Sequence, residues 1–278
     1  MPFLLLPYPK LNPVAISLGP ISVKWYGLAY AAGLLLGWQY VRRILQTPRL
    51  WAPAKAPFDA TKTDDLLLYM TLGVVLGGRI GYVLFYNPAF YFAHPLDIFK
   101  IWNGGMSFHG GFLGSVLAVL YFARQNNTGP LTVLDLASAA TPIGLFFGRL
   151  ANFINAELWG RPSNVAWAMV FPDPEAGPIP RHPSQLYEAS LEGLALFAFC
   201  CFLIFKRDAL KRPGLVAGTF TAGYGCARAF CELFREPDPL HWATKGLMTA
   251  GILYSLPMIA AGLYLVYYAR KRAVDMTA

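Results

Sequence analysis

Residues 148–160 read GRLANFINAELWG and lie at the end of a long apolar stretch. This run contains one arginine, Arg149, together with the side-chain amides of Asn152 and Asn155 and the carboxylate of Glu157. A charge at membrane depth is costly, so an ionisable residue within a membrane segment points to a functional site. The run therefore predicts a binding or catalytic site at the end of a membrane-spanning helix.

The composition is that of an integral membrane protein. The chain has 278 residues, of which 56% are hydrophobic and 14% are charged, whereas soluble domains contain about 25% charged residues. The formal net charge of +8 could indicate nucleic-acid binding. The basic residues, however, are scattered in small groups between apolar segments, which is typical of membrane topology. We therefore expect membrane lipids, and no nucleic acid, as partners.

Seven segments are apolar enough, and most of them long enough, to cross a bilayer, which takes about 20 residues. They are residues 25–42, 66–86, 108–123, 133–153, 187–205, 215–233 and 247–269. The predicted fold class is an all-α integral membrane protein with seven transmembrane helices. We expect a single membrane domain over residues 1–278. Residues 154–186, rich in Pro, Gly and Trp, are predicted to form a small extracytoplasmic cap between the fourth and fifth helices.

The loops on the two sides differ in positive charge. Thirteen of the 23 Lys and Arg residues lie in the loops on one side and seven in those on the other. Loops rich in Lys and Arg stay in the cytoplasm, which predicts an extracytoplasmic N-terminus and a cytoplasmic C-terminus. Arg79, Arg149 and Arg228 inside the spans then lie toward the outer leaflet. Tyr26 and His109 begin helices that run inward, so they are expected at the same depth.

Three arginines at one depth predict a water-accessible pocket for an anion. The planar fork of arginine donates two parallel hydrogen bonds to a phosphate, and the natural anion at this depth is a phospholipid headgroup. Glu232 and Arg235 share a helix face with Arg228 by their spacing. The alternative is structural ion pairing, which the sequence favours for Arg79, whereas ligand contact is favoured for Arg149 and Arg228.

His109 is the candidate general base. It lies in the stretch GGMSFHGG at residues 104–111, where flanking glycines allow close approach of backbone or lipid. The unperturbed pKa of histidine is near neutrality, so it can accept a proton there; a structural role is the alternative. Ser184 is the predicted N-cap of the fifth helix. No His or Cys residues have metal-ligand spacing, so no metal site is expected.

Several motifs, in order along nearly the whole chain, resemble the bacterial prolipoprotein diacylglyceryl transferases. They are WYG at 25–27, GGRIGY at 77–82, GGMSFHGG at 104–111, the run at 148–160, RHPSQLYE at 181–188 and the segment 223–238. One departure is Ala151, which stands where that family often has glycine and adds only a methyl group. So many motifs in the same order make a chance match very unlikely.

The resemblance implies an enzyme of the bacterial inner membrane that acts in the first step of lipoprotein maturation. The family transfers the sn-1,2-diacylglyceryl group of phosphatidylglycerol to the lipobox cysteine thiol beside the signal peptide of a prolipoprotein. The product is a thioether, glycerol phosphate leaves, and no metal or organic cofactor takes part. The resemblance further implies that activity depends on Tyr26, His109, Arg149, Asn152, Gly160 and Arg228.

The chemistry of this reaction suggests roles for individual residues. His109 would accept the thiol proton with Tyr26 orienting it, although Glu232 is a rival for the base. The predicted catalytic residues are His109, Arg149, Arg228 and Tyr26. The predicted substrate-binding residues are Arg149, Asn152, Gly160, Arg228, Glu232, Arg235 and Arg79.

Other functions would need other sequence features. A lipid flippase or anion transporter requires polar residues across the full membrane depth, commonly in repeated halves, and polarity here is confined to the outer half of the spans. A scaffold that only binds headgroups would have no use for His109. An intramembrane protease would need a Ser/Lys, paired Asp or metal constellation, and none is present in the sequence.

Overall fold

The computed structural model describes residues 6–9, 11–19, 21–237 and 249–275. Asp238 of the last motif and the first two residues of the seventh predicted span lie outside these residues. The described chain is mostly helical and divides into two compact units. The first unit contains the chain up to Tyr40 and from Asp135 onward, and the second contains Val41–Leu134.

Each predicted span coincides with a described helix, except for the start of the seventh. The long helices are α1 (Trp25–Leu45), α2 (Thr63–Phe85), α4 (Phe108–Gln125), α5 (Pro130–Ile154), α8 (Leu215–Cys231) and α9 (Ala250–Asp275). Short helix α3 (Pro88–Ala93) follows α2, and the strands β1 (Val14–Leu18) and β2 (Ile21–Lys24) form an antiparallel hairpin before α1.

The fifth span is built from three consecutive helical pieces. Helix α6 (Ser184–Glu188) continues through a π-helical segment, Ala189–Ala195, into α7 (Leu196–Arg207). Ser184 is not the N-cap: Pro183 occupies that position, and the Ser184 hydroxyl instead donates to the Leu158 carbonyl at 3.0 Å. The prediction for Ser184 was wrong because local spacing does not reveal a carbonyl acceptor 26 positions earlier.

Four helical stretches among the described residues have the length and hydropathy of membrane spans. They are Ala60–Phe85, Pro130–Ile154, Ser184–Arg207 and Ala250–Arg272. Many of their apolar side chains are exposed, including Leu76, Leu194 and Tyr264, as expected for surfaces that contact lipid rather than water. The chain is therefore a multi-pass membrane protein.

In the second unit, α2 and α4 pack backbone against backbone. Gly77 and Gly81 of α2 face Gly110 of α4, and a Cβ added at Gly81 would lie 2.9 Å from the Gly110 Cα. Only glycine permits such a close approach, which is how helices commonly associate in membranes. This contact fixes α2 beside the first turn of α4, where His109 lies.

In the first unit, a buried carboxylate joins α5 to the start of α8. Asp135 is fully buried and accepts hydrogen bonds from the backbone N–H groups of Gly214 and Ala217 at 2.8 and 2.7 Å. Gly214 is the N-cap residue of α8 and Ala217 lies in its first turn, so neither N–H has a carbonyl partner within the helix. Asp135 thus acts as a helix cap supplied from a distant part of the sequence.

Replacing Asp135 should destabilise the first unit. We expect Asp135→Ala to lower the free energy of unfolding by about 2–3 kcal/mol, because it leaves two buried N–H groups without an acceptor. Thermal unfolding of the purified protein in detergent measures this. The control is Asp65→Ala, whose carboxylate forms an exposed ion pair with Lys62 and should change stability by less than about 0.5 kcal/mol. Equal effects of the two substitutions would contradict the capping role.

Candidate active site

Six charged side chains of the first unit form a buried ion-pair network. We call this the charged cluster, and its members are Arg149, Glu188, Glu192, Arg228, Glu232 and Arg235. They come from α5, from the α6–π segment and from the end of α8 with the turn that follows it. The sequence predicted four of the six as site residues, and the structure places those four together.

Glu188 is the centre of the charged cluster. Its Oε2 lies 3.2 Å from Arg149 Nη1, and its Oε1 accepts from Arg228 Nη1 at 3.3 Å and from Arg235 Nη1 at 3.2 Å. The Glu188 side chain is fully buried. Three cations from two helices and a turn therefore share one carboxylate, which compensates its loss of hydration.

Each of the other two glutamates forms an ion pair with one arginine of the cluster. Glu192 Oε2 accepts from Arg149 Nε at 3.3 Å and from Arg149 Nη2 at 3.2 Å, and Glu192 is also fully buried. Glu232 Oε2 lies 2.6 Å from Arg228 Nη2. The side chains of Arg149 and Arg228 keep 16% and 17% of their surface exposed, so both arginines can be reached from outside the cluster.

Glu188 and Glu192 were absent from the predicted site residues. Their signal in the sequence is the pairing of two carboxylates four positions apart in an apolar helix, a spacing that puts both on one face. In the structure, a π-helical segment runs through this region. Such segments are uncommon and occur often at functional sites. Here it begins at Ala189 and contains Glu192.

The run at residues 148–160 bends sharply after the end of α5. Ala156 and Leu158 have φ angles of 59° and 58°, a left-handed conformation that costs free energy for residues other than glycine. The Gln185 side-chain amide donates to the Glu157 carbonyl at 2.6 Å, and the Ser184 hydroxyl donates to that of Leu158. The first turn of α6 thereby holds the strained turn in place.

Asn152 and Glu157 are hydrogen-bonded across this turn. Asn152 Nδ2 donates to Glu157 Oε1 at 2.7 Å, and Asn152 is largely buried. Asn152 lies three residues after Arg149 on the same helix, so the two side chains project from neighbouring positions of one face. The amide is thus held near the charged cluster by its own carboxylate partner.

Gly160 joins the segment after α5 to the segment after α8. Its N–H donates to the His182 carbonyl at 2.9 Å, and it forms an isolated antiparallel bridge with Arg235. A Cβ at Gly160 would lie 2.5 Å from the Phe234 carbonyl oxygen and 2.6 Å from that of His182. The absence of a side chain therefore lets two backbone segments approach each other, which sets the position of Arg235.

Residues 155–183 pack against the end of α5 around a small core. Phe153, Ala156, Phe171 and Ala176 are buried together. Arg181 ties the segment together, since its guanidinium donates to the Ala176 and Gly160 carbonyls and to Glu236, and lies 4.1 Å above the Trp159 ring. Residues 155–183 lie within 154–186, the segment predicted from the sequence to form a cap.

An apolar cavity of about 330 Å³ lies where this segment meets α6 and the end of α8. Trp167 Nε1 donates to the Tyr187 hydroxyl at 2.6 Å, and that hydroxyl lies 3.0 Å from His182 Nδ1; all three residues line the cavity. Burial lowers the pKa of His182 below its ordinary value. The remaining walls include Phe230 and Phe234.

In the second unit, the Arg79 side chain holds a loop in place by hydrogen bonds to the backbone carbonyls of that loop. Its guanidinium donates to five carbonyl oxygens, at distances of 2.6–3.3 Å, and the cation lies 5.1 Å from the centre of the Tyr91 ring. The carbonyls are those of Asp97, Ile98, Lys100, Gly104 and Gly105. The donors of Arg79 are therefore engaged by the loop that leads to α4.

His109 and Tyr26 both lie in first turns of helices. His109 is the second residue of α4, and Ser107 caps that helix by accepting from the Gly110 N–H at 3.2 Å. Tyr26 is the second residue of α1, and its hydroxyl accepts from that of Tyr30 at 3.4 Å. Among the described residues, no group of three or more His, Cys, Asp or Glu side chains could hold a metal ion.

The fold and the charged cluster together define a class, a multi-pass membrane protein with a buried polyionic site. Comparison with known proteins gives the family. The prolipoprotein diacylglyceryl transferase family matches residues 13–268, and this chain belongs to that family.

Three relatives are full-length matches. Each is named phosphatidylglycerol–prolipoprotein diacylglyceryl transferase. The proteins of Methylocella silvestris, Nitrobacter winogradskyi and Rhizobium meliloti are 55%, 53% and 51% identical to this chain. The alignments cover 98%, 97% and 97% of this chain and 98%, 92% and 96% of the relatives.

A methyl group at Gly160 should displace Arg235, a member of the charged cluster, without contacting the other members. We expect Gly160→Ala to separate the two backbone segments, displace Arg235 and lower the stability by about 1–3 kcal/mol. Limited proteolysis within residues 155–183 and thermal unfolding in detergent report the change. The matched control is Gly144→Ala, since a Cβ at Gly144 would meet nothing within 4 Å. Unchanged protease resistance in Gly160→Ala would contradict this account.

Proposed function

We propose that this protein transfers the sn-1,2-diacylglyceryl group of phosphatidylglycerol to the lipobox cysteine thiol of a prolipoprotein. The reaction forms a thioether, releases glycerol phosphate and is the first step of lipoprotein maturation. The observation that carries the proposal is the charged cluster, which concentrates three arginines at a buried site in a chain of this family. The names of the relatives support the same two substrates.

Arg149 and Arg228 are the proposed ligands of the lipid phosphate. They lie on either side of Glu188 and are the two most exposed arginines of the cluster. Guanidinium groups bind phosphate oxygens with paired, charge-assisted hydrogen bonds. Asn152 and Gly160 are proposed to border the glycerol region, while Glu232 and Arg235 hold Arg228 and Glu188 in position.

The reaction requires stabilisation of a leaving phosphate. The thiolate sulfur forms a bond to the terminal glyceryl carbon, and the bond from that carbon to the phosphate oxygen breaks with its electron pair going to glycerol phosphate. Negative charge therefore grows on the leaving group in the transition state. Arginines already fixed by buried carboxylates stabilise this charge without reorganising, and preorganisation of this kind lowers the barrier.

The thiol must lose its proton before it attacks. A free cysteine has a pKa of about 8.5, so a nearby base accelerates the reaction at neutral pH. We propose His109 for this role with Tyr26 orienting the base, and Glu232 is the rival candidate. Arg79 was predicted to contact substrate. Because its donors are engaged by loop carbonyls, we propose that it positions the loop before His109 instead.

The membrane arrangement is part of the proposal. Seven helices would cross the bacterial inner membrane as one domain, with the N-terminus extracytoplasmic and the C-terminus cytoplasmic. The charged cluster would then face the outer leaflet, and residues 154–186 would form the extracytoplasmic cap. Phosphatidylglycerol would enter sideways from the outer leaflet, and the signal-peptide helix would present its cysteine at the same surface.

A transfer assay with purified protein in detergent tests the activity. With phosphatidylglycerol and a lipobox peptide, we expect release of glycerol phosphate that requires the peptide thiol and is lost with the Cys→Ser peptide. Arg149→Ala and Arg228→Ala should each reduce the rate by at least about 100-fold, the effect typical of removing one transition-state donor. The exposed Arg212→Ala serves as the control and should retain activity.

Two further outcomes of this assay are decisive. Binding of phosphatidylglycerol without release of glycerol phosphate under any condition would overturn the transferase in favour of a scaffold or transporter. Near-normal turnover in His109→Gln would remove His109 as the base and favour Glu232.

Reporter fusions test the orientation. Alkaline phosphatase folds only outside the cytoplasm because its disulfides need an oxidising compartment. We expect activity for a fusion after Gly177 and none for a fusion after Lys211, since positive loops stay inside. The reversed pattern would contradict the proposed orientation.

A further inference from the structure

The charged cluster is electrically balanced before any lipid arrives. Three arginines face three glutamates, so the formal charges cancel. A phosphodiester adds one negative charge, which would leave a largely buried site with an uncompensated anion. Such an excess is strongly unfavourable in a buried site, and ionisable groups there generally become neutral instead of remaining charged.

Glu192 occupies the face of Arg149 that a phosphate would use. Arg149 Nε and Nη2 both donate to a single oxygen of Glu192, at 3.3 and 3.2 Å. This edge of the guanidinium carries two parallel N–H groups, the fork with which arginine grips phosphate. The carboxylate therefore stands where the lipid phosphate would bind, and the two anions compete for the same donors.

We infer that binding of the phosphatidylglycerol phosphate is coupled to the uptake of one proton by Glu192. This inference rests on the proposed function and adds a regulated step to it. Once neutral, Glu192 loses its ion pair with Arg149 and frees the Nε and Nη2 donors. The phosphate replaces the carboxylate as the anionic partner of Arg149, and the charge balance of the cluster is kept.

Glu192 is the glutamate whose charge is least compensated. Glu188 faces three arginines, and Glu232 lies 2.6 Å from Arg228. Among the described residues, Glu192 lies at ion-pair distance from Arg149 only. Its Oε1 is buried and has no hydrogen-bond partner among the residues that the structure describes. Neutralising Glu192 therefore breaks one ion pair, whereas neutralising Glu188 would break three.

The charged and titratable groups described around Glu192 come from α5, from α8 and from its own helix. From α8, Arg228, Tyr224 and Cys231 lie within electrostatic range of it, and from α5 Arg149 does so. Glu188 is the neighbouring acid on its own helix, and its carboxylate lies at ion-pair distance from three arginines. The incoming proton thus goes to Glu192.

Calorimetry in two buffers measures the proton directly. Phosphatidylglycerol is titrated into the full-length protein in detergent, once in HEPES and once in Tris, which differ in ionisation enthalpy and contain no phosphate. The difference in binding enthalpy gives the number of protons taken up per lipid. We expect a value close to one for the wild type, close to zero for Glu192→Gln, and close to one for the exposed control Glu175→Gln.

The dissociation constant provides a second readout. When binding requires one proton, the wild-type Kd rises about tenfold per pH unit wherever Glu192 is ionised in the lipid-free protein. In Glu192→Gln the Kd should stay nearly constant and lie below the wild-type value at the upper end of the pH range. A residue with a merely structural role would weaken binding without removing its pH dependence.

The possible results separate this inference from the proposed function. Lipid binding by the wild type with no proton uptake, or uptake that persists in Glu192→Gln, overturns the coupling and leaves the transferase intact. A wild-type proton number close to zero overturns the coupling even where Glu192→Gln does not fold. A wild type that binds no phosphatidylglycerol at all overturns the proposed function and the coupling with it.

Discussion

The carboxylate of Glu188 is the interaction on which the described site depends. It forms ion pairs with Arg149, Arg228 and Arg235, which belong to segments separated by up to 86 residues in the sequence. Without that charge three guanidinium groups would repel one another in a poorly solvated space. Removing one partner of a buried ion pair is costly for this reason, so the arginines and the glutamates stabilise the site only together.

The surrounding backbone positions the charged side chains of the cluster beside one another. The π-helical segment carries Glu192 to Arg149, and the strained turn at Ala156 and Leu158 is held by the side chains of α6. The glycine at 160 lets the segment carrying Arg235 approach closely. Unfavourable local conformations are tolerated where the surrounding contacts over-determine them, as is common at functional sites.

The two units use arginine in opposite ways. Arg79 donates its N–H groups to carbonyl oxygens and holds a loop in place, whereas Arg149 and Arg228 are held by the carboxylates of the charged cluster. An arginine bonded to carbonyls has no anionic partner to exchange for a phosphate. This contrast separates a structural arginine from two proposed ligands, although all three occupy similar positions in apolar helices.

The sequence by itself determined the membrane class, the places of the helices, the family resemblance and the common face of Arg228, Glu232 and Arg235. These properties follow from apolar length and from the helical repeat, which act over a few residues. Only the tertiary structure decided that Glu188 joins three arginines, that Glu192 covers Arg149 and that Ser184 bonds to Leu158. Those contacts join residues 26 to 47 positions apart, and helix packing, which no local pattern encodes, selects the partners.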